Sequence, residues 1–546
     1  MMKKILTVLS ALILTLFASS AYAAADYIEG QVLVVLKNNN NGLAGLSTAN
    51  AAEVCSAAAK SLASTVNANV VSTYNALSAS SGHIFTLISS PTKTANELER
   101  ELKQNPNVIA VSKNYFCKIV SPTKNEAVSA APDACGTASR FDEQWGLKKI
   151  NVEKAWETTE GDRDVVVAVI DTGVMYDHPD LKDNIWDDGH GHCGKMFYSH
   201  SKNYDYLSLE AMSNDKAVYQ SSVDICTDGV SGGKISGNWE RVGDINGHGT
   251  HVAGIIGAVG NVVNGVNKTV KILPVGVFSV LQLVPGLCLG LGALYSDITS
   301  GLEYIAELKQ SGVNIVAANM SLGGWTNEPS QYYFEVLDAA SRAGDKGILM
   351  CIAAGNEEQD IDNPNGDYSG AKPYPAYFCT QIKNSLCVGA SASNDVRSGS
   401  SGASSNYSSL GKSVSVFAPG EQILSTCISY DIYCETPGDY PLVTMPSKGY
   451  GLLSGTSMAT PMVTGAAALL AAAFPDKSAS EIKRLLTRTA TNVCRKGFSR
   501  YGQIDLAAAM RAGNRRGNGG IGCNAGLGLT VLLGVSVLIG LKKKRR

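Results

Sequence analysis

Three side chains in this 546-residue sequence have the types and settings for nucleophilic chemistry. Ser457 lies in Gly455-Thr456-Ser457-Met458-Ala459-Thr460-Pro461, a small-residue turn that runs directly into the apolar, helix-compatible stretch 458–474. A hydroxyl at a helix start is placed for attack, and the positive end of the helix dipole stabilises negative charge developing on a substrate oxygen. Pro461 is expected in the first helical turn, where a missing N–H is tolerated. Serine alone is a poor nucleophile, so the motif calls for a base to take its proton and a carboxylate to orient that base. His248, inside Asn246-Gly247-His248-Gly249-Thr250-His251-Val252-Ala253-Gly254, is the candidate base, because the glycines beside it let backbone and substrate approach the ring. His251 is expected to pack or hydrogen-bond instead. Asp171 ends the continuous apolar run 165–170, and reads either as a functional carboxylate at a strand exit or as a turn-initiating aspartate before Thr172-Gly173. Asn356 follows the buried run 347–354 and Gly355, and is open in the same way between a turn cap and a neutral donor for an oxyanion.

These residues need elements that hold them. Apolar runs at 165–170, 270–278, 313–320, 347–354, 385–390 and 414–418 read as strands and alternate with helical stretches at 296–310 and 332–343, which argues a mostly parallel sheet covered on both faces. Residues 183–243 are polar and loop-rich. Within them Asp187-Asp188-Gly189-His190-Gly191-His192-Cys193 matches a metal cluster by composition, but glycine-flanked loop histidines are more often solvated, and no metal site is expected. Upstream, strand at 30–37, helix at 51–62, strand at 83–88, helix at 95–104 and strand at 108–111 make a small α+β unit. Residues 119–139 lose periodicity and read as a protease-accessible linker.

The ends point to export. Lys3 and Lys4, the apolar run 5–17 and Ala21-Tyr22-Ala23 form a secretory signal with cleavage expected after Ala23. An oxidising compartment makes disulfides the default for the 13 cysteines, an odd number that leaves at least one unpaired. Short loops favour Cys379 with Cys387 and Cys427 with Cys434; Cys193 with Cys226 would staple the polar segment, and Cys55 with Cys117 would close the upstream unit. A net charge of -2, with a basic block only at 542–546, excludes a nucleic-acid partner from expectation.

Asp171-Thr-Gly, His248-Gly-Thr-His-Val-Ala-Gly and Gly455-Thr-Ser457-Met-Ala-Thr-Pro, in that order, resemble the three signatures of the subtilase (subtilisin-like) serine proteases. The resemblance implies an α/β three-layer fold with a mostly parallel central sheet, preceded by a small ferredoxin-like propeptide domain. It implies a self-processing serine endopeptidase in which Ser457 attacks, His248 shuttles the proton and Asp171 orients the ring. Asn356 matches the family's oxyanion-hole asparagine, and Ser321, Leu322 and Gly323 its substrate-pairing strand. The expected organisation is signal peptide 1–23, inhibitory propeptide 27–118, linker with maturation site 119–141, catalytic domain 142–513 and tail 514–546. Expected partners are protein or peptide substrates, the chain's own propeptide, and a membrane through the tail. No cofactor is required for the chemistry. Family members often bind structural calcium through the aspartate of His-Pro-Asp-Leu, here Asp180, but the loop 260–267 offers few carboxylates. The tail resembles the tripartite sorting signals of Gram-negative bacteria, with Gly519-Gly520 and Cys523, a short apolar span and a basic end, which implies a secreted or cell-surface enzyme. A plain membrane anchor is the simpler account of the same span. The rival function is a catalytically inactive subtilase-fold protein that only binds partners.

Overall fold

Alternation of short apolar side chains along each strand decides where the layers of this molecule lie. The computed structural model describes residues 27–38, 43, 46–119, 139–201, 207–208, 218–226, 243–244, 246–284, 287–327, 334–394, 407–428, 449–494 and 497–514. The signal segment, most of the linker and the C-terminal tail expected above lie outside them.

The upstream unit contains β1 (Tyr27–Leu36), α1 (Thr48–Thr65), β2 (Asn69–Thr73), α2 (Asn75–Ser81), β3 (Ile84–Ser89), α3 (Ala95–Leu102) and β4 (Val108–Ile119). Its strands lie in the order β2-β3-β1-β4, every neighbouring pair antiparallel, which is the ferredoxin-like arrangement with α2 added. Ser47 caps α1, and Thr94 and Glu97 close a reciprocal capping box on α3. Leucines and alanines of α1 and α3 pack on Val32, Val34 and Ile88. β2 carries no buried residue, so no apolar run announces it in the sequence. β4 continues well past its expected end at Val111, because it pairs with β1 only as far as Tyr115 and then with other strands.

The larger unit contains β5 (Val166–Asp171), β6 (His192–Ser201), β7 (Val218–Cys226), α4 (His248–Gly257), β8 (Lys271–Gly276), β9 (Leu287–Leu294), α5 (Tyr295–Gln310), β10 (Ile315–Met320), β11 (Leu322–Thr326), α6 (Phe334–Asp345), β12 (Leu349–Ala353), β13 (Ser385–Ser391), β14 (Val416–Pro419) and α7 (Thr456–Ala473). Its sheet runs β14-β13-β12-β10-β5-β8-β6-β7, parallel as far as β6, with antiparallel β7 at the edge. Val167 and Val169 of β5 face α4 and α7, while Val166, Ala168 and Ile170 face α5 and α6. A central strand buried on both faces must be apolar throughout, and β5 is buried at every residue. This is the three-layer α/β fold expected from the sequence. The segment 183–243 differs from the loop foreseen there, since it supplies β6 and β7. Among the apolar residues of β6, Cys193, Met196 and Phe197 are buried, too few and too interrupted to read as a core strand.

Candidate active site

Asp171 is the last residue of β5 and is wholly buried; His248 is the first residue of α4 and is 1% exposed. Nδ1 of His248 lies 2.7 Å from Oδ1 of Asp171, which also accepts the N–H of Thr172 at 2.8 Å. A carboxylate accepts only, so Nδ1 carries the hydrogen and Nε2 is left as the ring's basic nitrogen. Nε2 is buried and has no hydrogen-bond partner among the described residues. Gly249 follows because a Cβ there would lie 2.0 Å from the carbonyl oxygen of Gly173, so only glycine lets α4 start this close to the strand exit.

A residue not singled out in the sequence holds the two loops together. Buried Asp244 accepts from Thr172 Oγ1, from the N–H groups of Asn246 and Gly247, and from both N–H and Oγ1 of Thr250. Thr172 Oγ1 in turn accepts the N–H of Gly249 at 3.0 Å. The turn after Asp171 and the first turn of α4 therefore share one carboxylate. Burial raises the Asp244 pKa and these hydrogen bonds oppose the rise. Its only sequence signal is an aspartate four residues before His248.

Ser457 stands in the first turn of α7, which packs against α4. Pro461 falls inside the helix rather than in its first turn, a correction with a consequence. Proline has no N–H, so the carbonyl of Ser457, four residues earlier, loses its helical donor. Ser321 Oγ supplies one at 3.0 Å, and itself accepts from Asn319 Nδ2 at 2.9 Å. Ser457 Oγ donates to the Ser321 carbonyl at 3.3 Å, so its hydroxyl and that carbonyl are adjacent. Asn356 presents Oδ1 to Thr456 N and Thr456 Oγ1 at 3.0 and 2.9 Å, which fixes its amide beside the serine turn. Leu322 and Gly323 begin β11, and they are covered by the chain's own β4: Leu322 pairs with Ile119 and Gly323 with Lys118.

His251 is buried, with Nε2 3.1 Å from the Gly451 carbonyl, and burial lowers its pKa to about 3; it is the hydrogen-bonding neutral ring expected. The cysteines depart from expectation. Cys55 packs with α1 and α3 while Cys117 packs with Tyr295 and Tyr374, so those two are separate buried thiols. Cys379 and Cys387 are thiols hydrogen-bonded to each other, which with burial raises Cys387 well above its ordinary value. The Cys226 side chain and Cys434 lie outside the described residues. Asp180 does not suit a cation: its carboxylate oxygens accept the N–H groups of Asn261, Val262 and Val263 and the Tyr450 hydroxyl at 2.8 to 3.1 Å. Donors converging on one carboxylate would present their positive ends to any bound calcium. Among the described residues the helix long and apolar enough to cross a membrane is α7, which is the buried core helix.

The sequence profile of the subtilase family matches residues 162–503. The chain is similar to Subtilisin DY of Bacillus licheniformis, 33% identical over 269 residues that cover 49% of this chain and 79% of that one. It is 30% identical over 410 residues to the Extracellular protease of Xanthomonas campestris pv. campestris, covering 72% of this chain and 57% of that protein. The crystal structure of fervidolysin from Fervidobacterium pennivorans, a keratinolytic enzyme related to subtilisin, matches with a TM-score of 0.55 at 22% identity, over 89% of this chain and 61% of that one. That likeness concerns the fold.

Proposed function

Because the chain belongs to the subtilase family of serine peptidases, we propose that it is an endopeptidase that cuts protein substrates through Asp171, His248 and Ser457. The observation that carries this is the buried 2.7 Å pair of Asp171 and His248 on α4, a helix that packs against α7, with the ring's second nitrogen unpartnered among the described residues. Ser457 gives its proton to His248 Nε2 as Oγ adds to the scissile carbonyl, and the imidazolium then protonates the leaving amine. Hydrogen bonds between base and nucleophile are commonly longer in free enzymes than in substrate complexes, which suits Ser457 Oγ bonding to Ser321 at rest. The Asn356 amide, held by its oxygen, donates to the oxyanion. Substrate adds as a strand along 321–323, so main-chain bonds carry much of the affinity.

The same reading makes the enzyme a precursor: signal 1–23, inhibitory propeptide 27–118, linker 119–141, catalytic domain 142–513 and sorting tail 514–546. The pairing of β4 with Leu322 and Gly323 supports latency, since a strand lying there excludes substrate. Secretion agrees with the extracellular relative from Xanthomonas. The chemistry needs no cofactor, and structural calcium is not expected on Asp180.

A fluorophosphonate should label Ser457 in the processed enzyme. Ser457→Ala should lose labelling, hydrolysis and self-processing together, with a fall in turnover on the order of 10⁶, the magnitude known for subtilisin itself. Retained hydrolysis in that variant would overturn the assignment. Absence of labelling in the processed wild type would favour the inactive binding protein.

A further inference from the structure

Asn319 is the single polar residue of β10 and is wholly buried. Its register partners on the neighbouring strands are Val169 of β5 and Cys351 of β12, both members of the apolar cluster that α7 covers. An amide in such a layer gives up its water and must find its hydrogen bonds inside the protein. It finds them on both sides. Nδ2 donates to Ser321 Oγ at 2.9 Å, and Oδ1 stands 3.0 Å from Thr464 Oγ1. Thr464 Oγ1 is also 3.0 Å from the Thr460 carbonyl. That carbonyl has the helical N–H four residues on, so Asn319 Oδ1 is the acceptor that needs the hydroxyl hydrogen.

The direction of the chain is thereby fixed. A Ser321 oxygen that accepts from Asn319 turns its own hydrogen away from the amide, toward the Ser457 carbonyl 3.0 Å away. An amide turned the other way would take that hydrogen for itself. The bond matters because Pro461 removes the helical donor to the same carbonyl. Asn356 holds the Thr456 N–H on one side of the nucleophile at 3.0 Å, and the Asn319–Ser321 pair holds the Ser457 carbonyl on the other. With the main chain held at both points, the move of Ser457 Oγ from the Ser321 carbonyl, 3.3 Å away at rest, to His248 is a rotation of one side chain.

We propose that Asn319 is a positioning residue of the hydrolytic site: with its amide fixed by Thr464, it directs the Ser321 hydroxyl onto the Ser457 carbonyl and so holds the nucleophile's main chain in register with His248 and Asn356. This rests on the peptidase reading above. Asn319 touches neither substrate nor a reacting atom. Its effect therefore falls on the rate of acylation and not on the binding of substrate.

The full chain carrying Asn319→Leu, Thr464→Val or neither is made with Pro461 and again with Pro461→Ala. Each is processed by bead-bound wild-type enzyme, the beads are removed, and peptide hydrolysis is divided by the sites that a fluorophosphonate labels at completion. With Pro461 in place, Asn319→Leu should lower kcat at least about 10-fold and move KM by less than about twofold. Thr464→Val, which replaces the hydroxyl by a methyl, should lower kcat in the same sense by a smaller factor. In the Pro461→Ala chains a helical N–H reaches the Ser457 carbonyl, and both losses should shrink to about twofold or less. That rescue separates positioning from general damage to the core, which a restored backbone bond would not repair. Unchanged kcat in both variants, a change confined to KM, or equal losses in the two backgrounds overturns the assignment. Should Asn319→Leu fail to fold, Thr464→Val read in both backgrounds decides alone. A wild type that labels and hydrolyses no faster than its variants refutes only this role, whereas a wild type that does neither refutes the peptidase reading with it.

Discussion

Two buried polar clusters in this protein are built in opposite ways. Around Asp244 the carboxylate oxygens take five donors from Thr172, Asn246, Gly247 and Thr250, all within the larger unit. At the seam where α2 of the upstream unit meets α5 and α6, Leu77 N–H donates to Glu303 and Arg342 Nη1 lies 3.7 Å from that carboxylate, but among the described residues Asn75 Oδ1, Glu335 Oε1 and Arg342 Nε find no hydrogen-bond partner. Each buried polar atom left unpaired costs about 1–3 kcal/mol. A cluster that never opens can be fully paired at no functional cost. A seam with unpaired groups gives them back to water when it parts, so it favours separation. The contrast suits the proposed function, in which one cluster holds the site and the other lets the upstream unit leave.

The comparison breaks first at Asp244. Asp244→Ala strands its donors in the interior and should lower the unfolding free energy of the mature enzyme by about 3–5 kcal/mol in urea titration. A loss below about 1 kcal/mol would mean that the loops are held by other contacts. Ser321→Ala comes next. It removes the hydrogen bond that Ser321 Oγ gives the Ser457 carbonyl and should cost about 1–3 kcal/mol. Pro461→Ala restores a helical N–H to that carbonyl, so the same change made in a Pro461→Ala background should cost measurably less. Equal costs in both backgrounds would show that Ser321 does not replace the missing bond.

The seam gives a smaller effect that depends on pH. Burial pushes Glu303 and Glu335 up to about 8. Glu307 and Arg342 face the first, and Asp338, with His83 beyond it, faces the second. Their pKa values are raised in the docked state, so docking takes up protons. Its favourable contribution is complete below the ordinary carboxylate value and is lost as pH rises toward 8. Inhibition of mature enzyme by the separated 27–118 segment should therefore weaken with rising pH, by up to about tenfold per unit for each proton released. Glu303→Gln should flatten that slope. A slope that is zero or of opposite sign in the wild type would remove the link between burial and release. Smallest of all is chelation, which should leave the thermal midpoint unchanged. A calcium-dependent midpoint that Asp180→Asn abolishes would show a cation on that carboxylate after all.

Much of this was legible before any coordinates. The apolar runs that became β5, β12 and β13 are buried at every residue, and a strand covered on both faces has no freedom to be anything but apolar. The turns around Asp171, His248 and Ser457 are local, since glycine, a small hydroxyl and a helix start suffice to write them. β6 was not legible, because it lies toward the sheet edge and polar residues interrupt its few buried apolar ones.

Sequence alone determined which side chains could do chemistry and the order of the elements carrying them, because both are set by neighbours along the chain. Only the tertiary structure decided that Asp244 binds the turn after Asp171 to the start of α4, and that Ser321 replaces the hydrogen bond Pro461 removes. It also decided that β4 runs on to Ile119 along Leu322 and Gly323, and that Cys55 and Cys117 stand apart. In each case the missing partner comes from a segment remote in sequence. A hydrogen-bond acceptor, an unpaired strand edge or a thiol does not encode which distant group will reach it, so that choice waits for the packing.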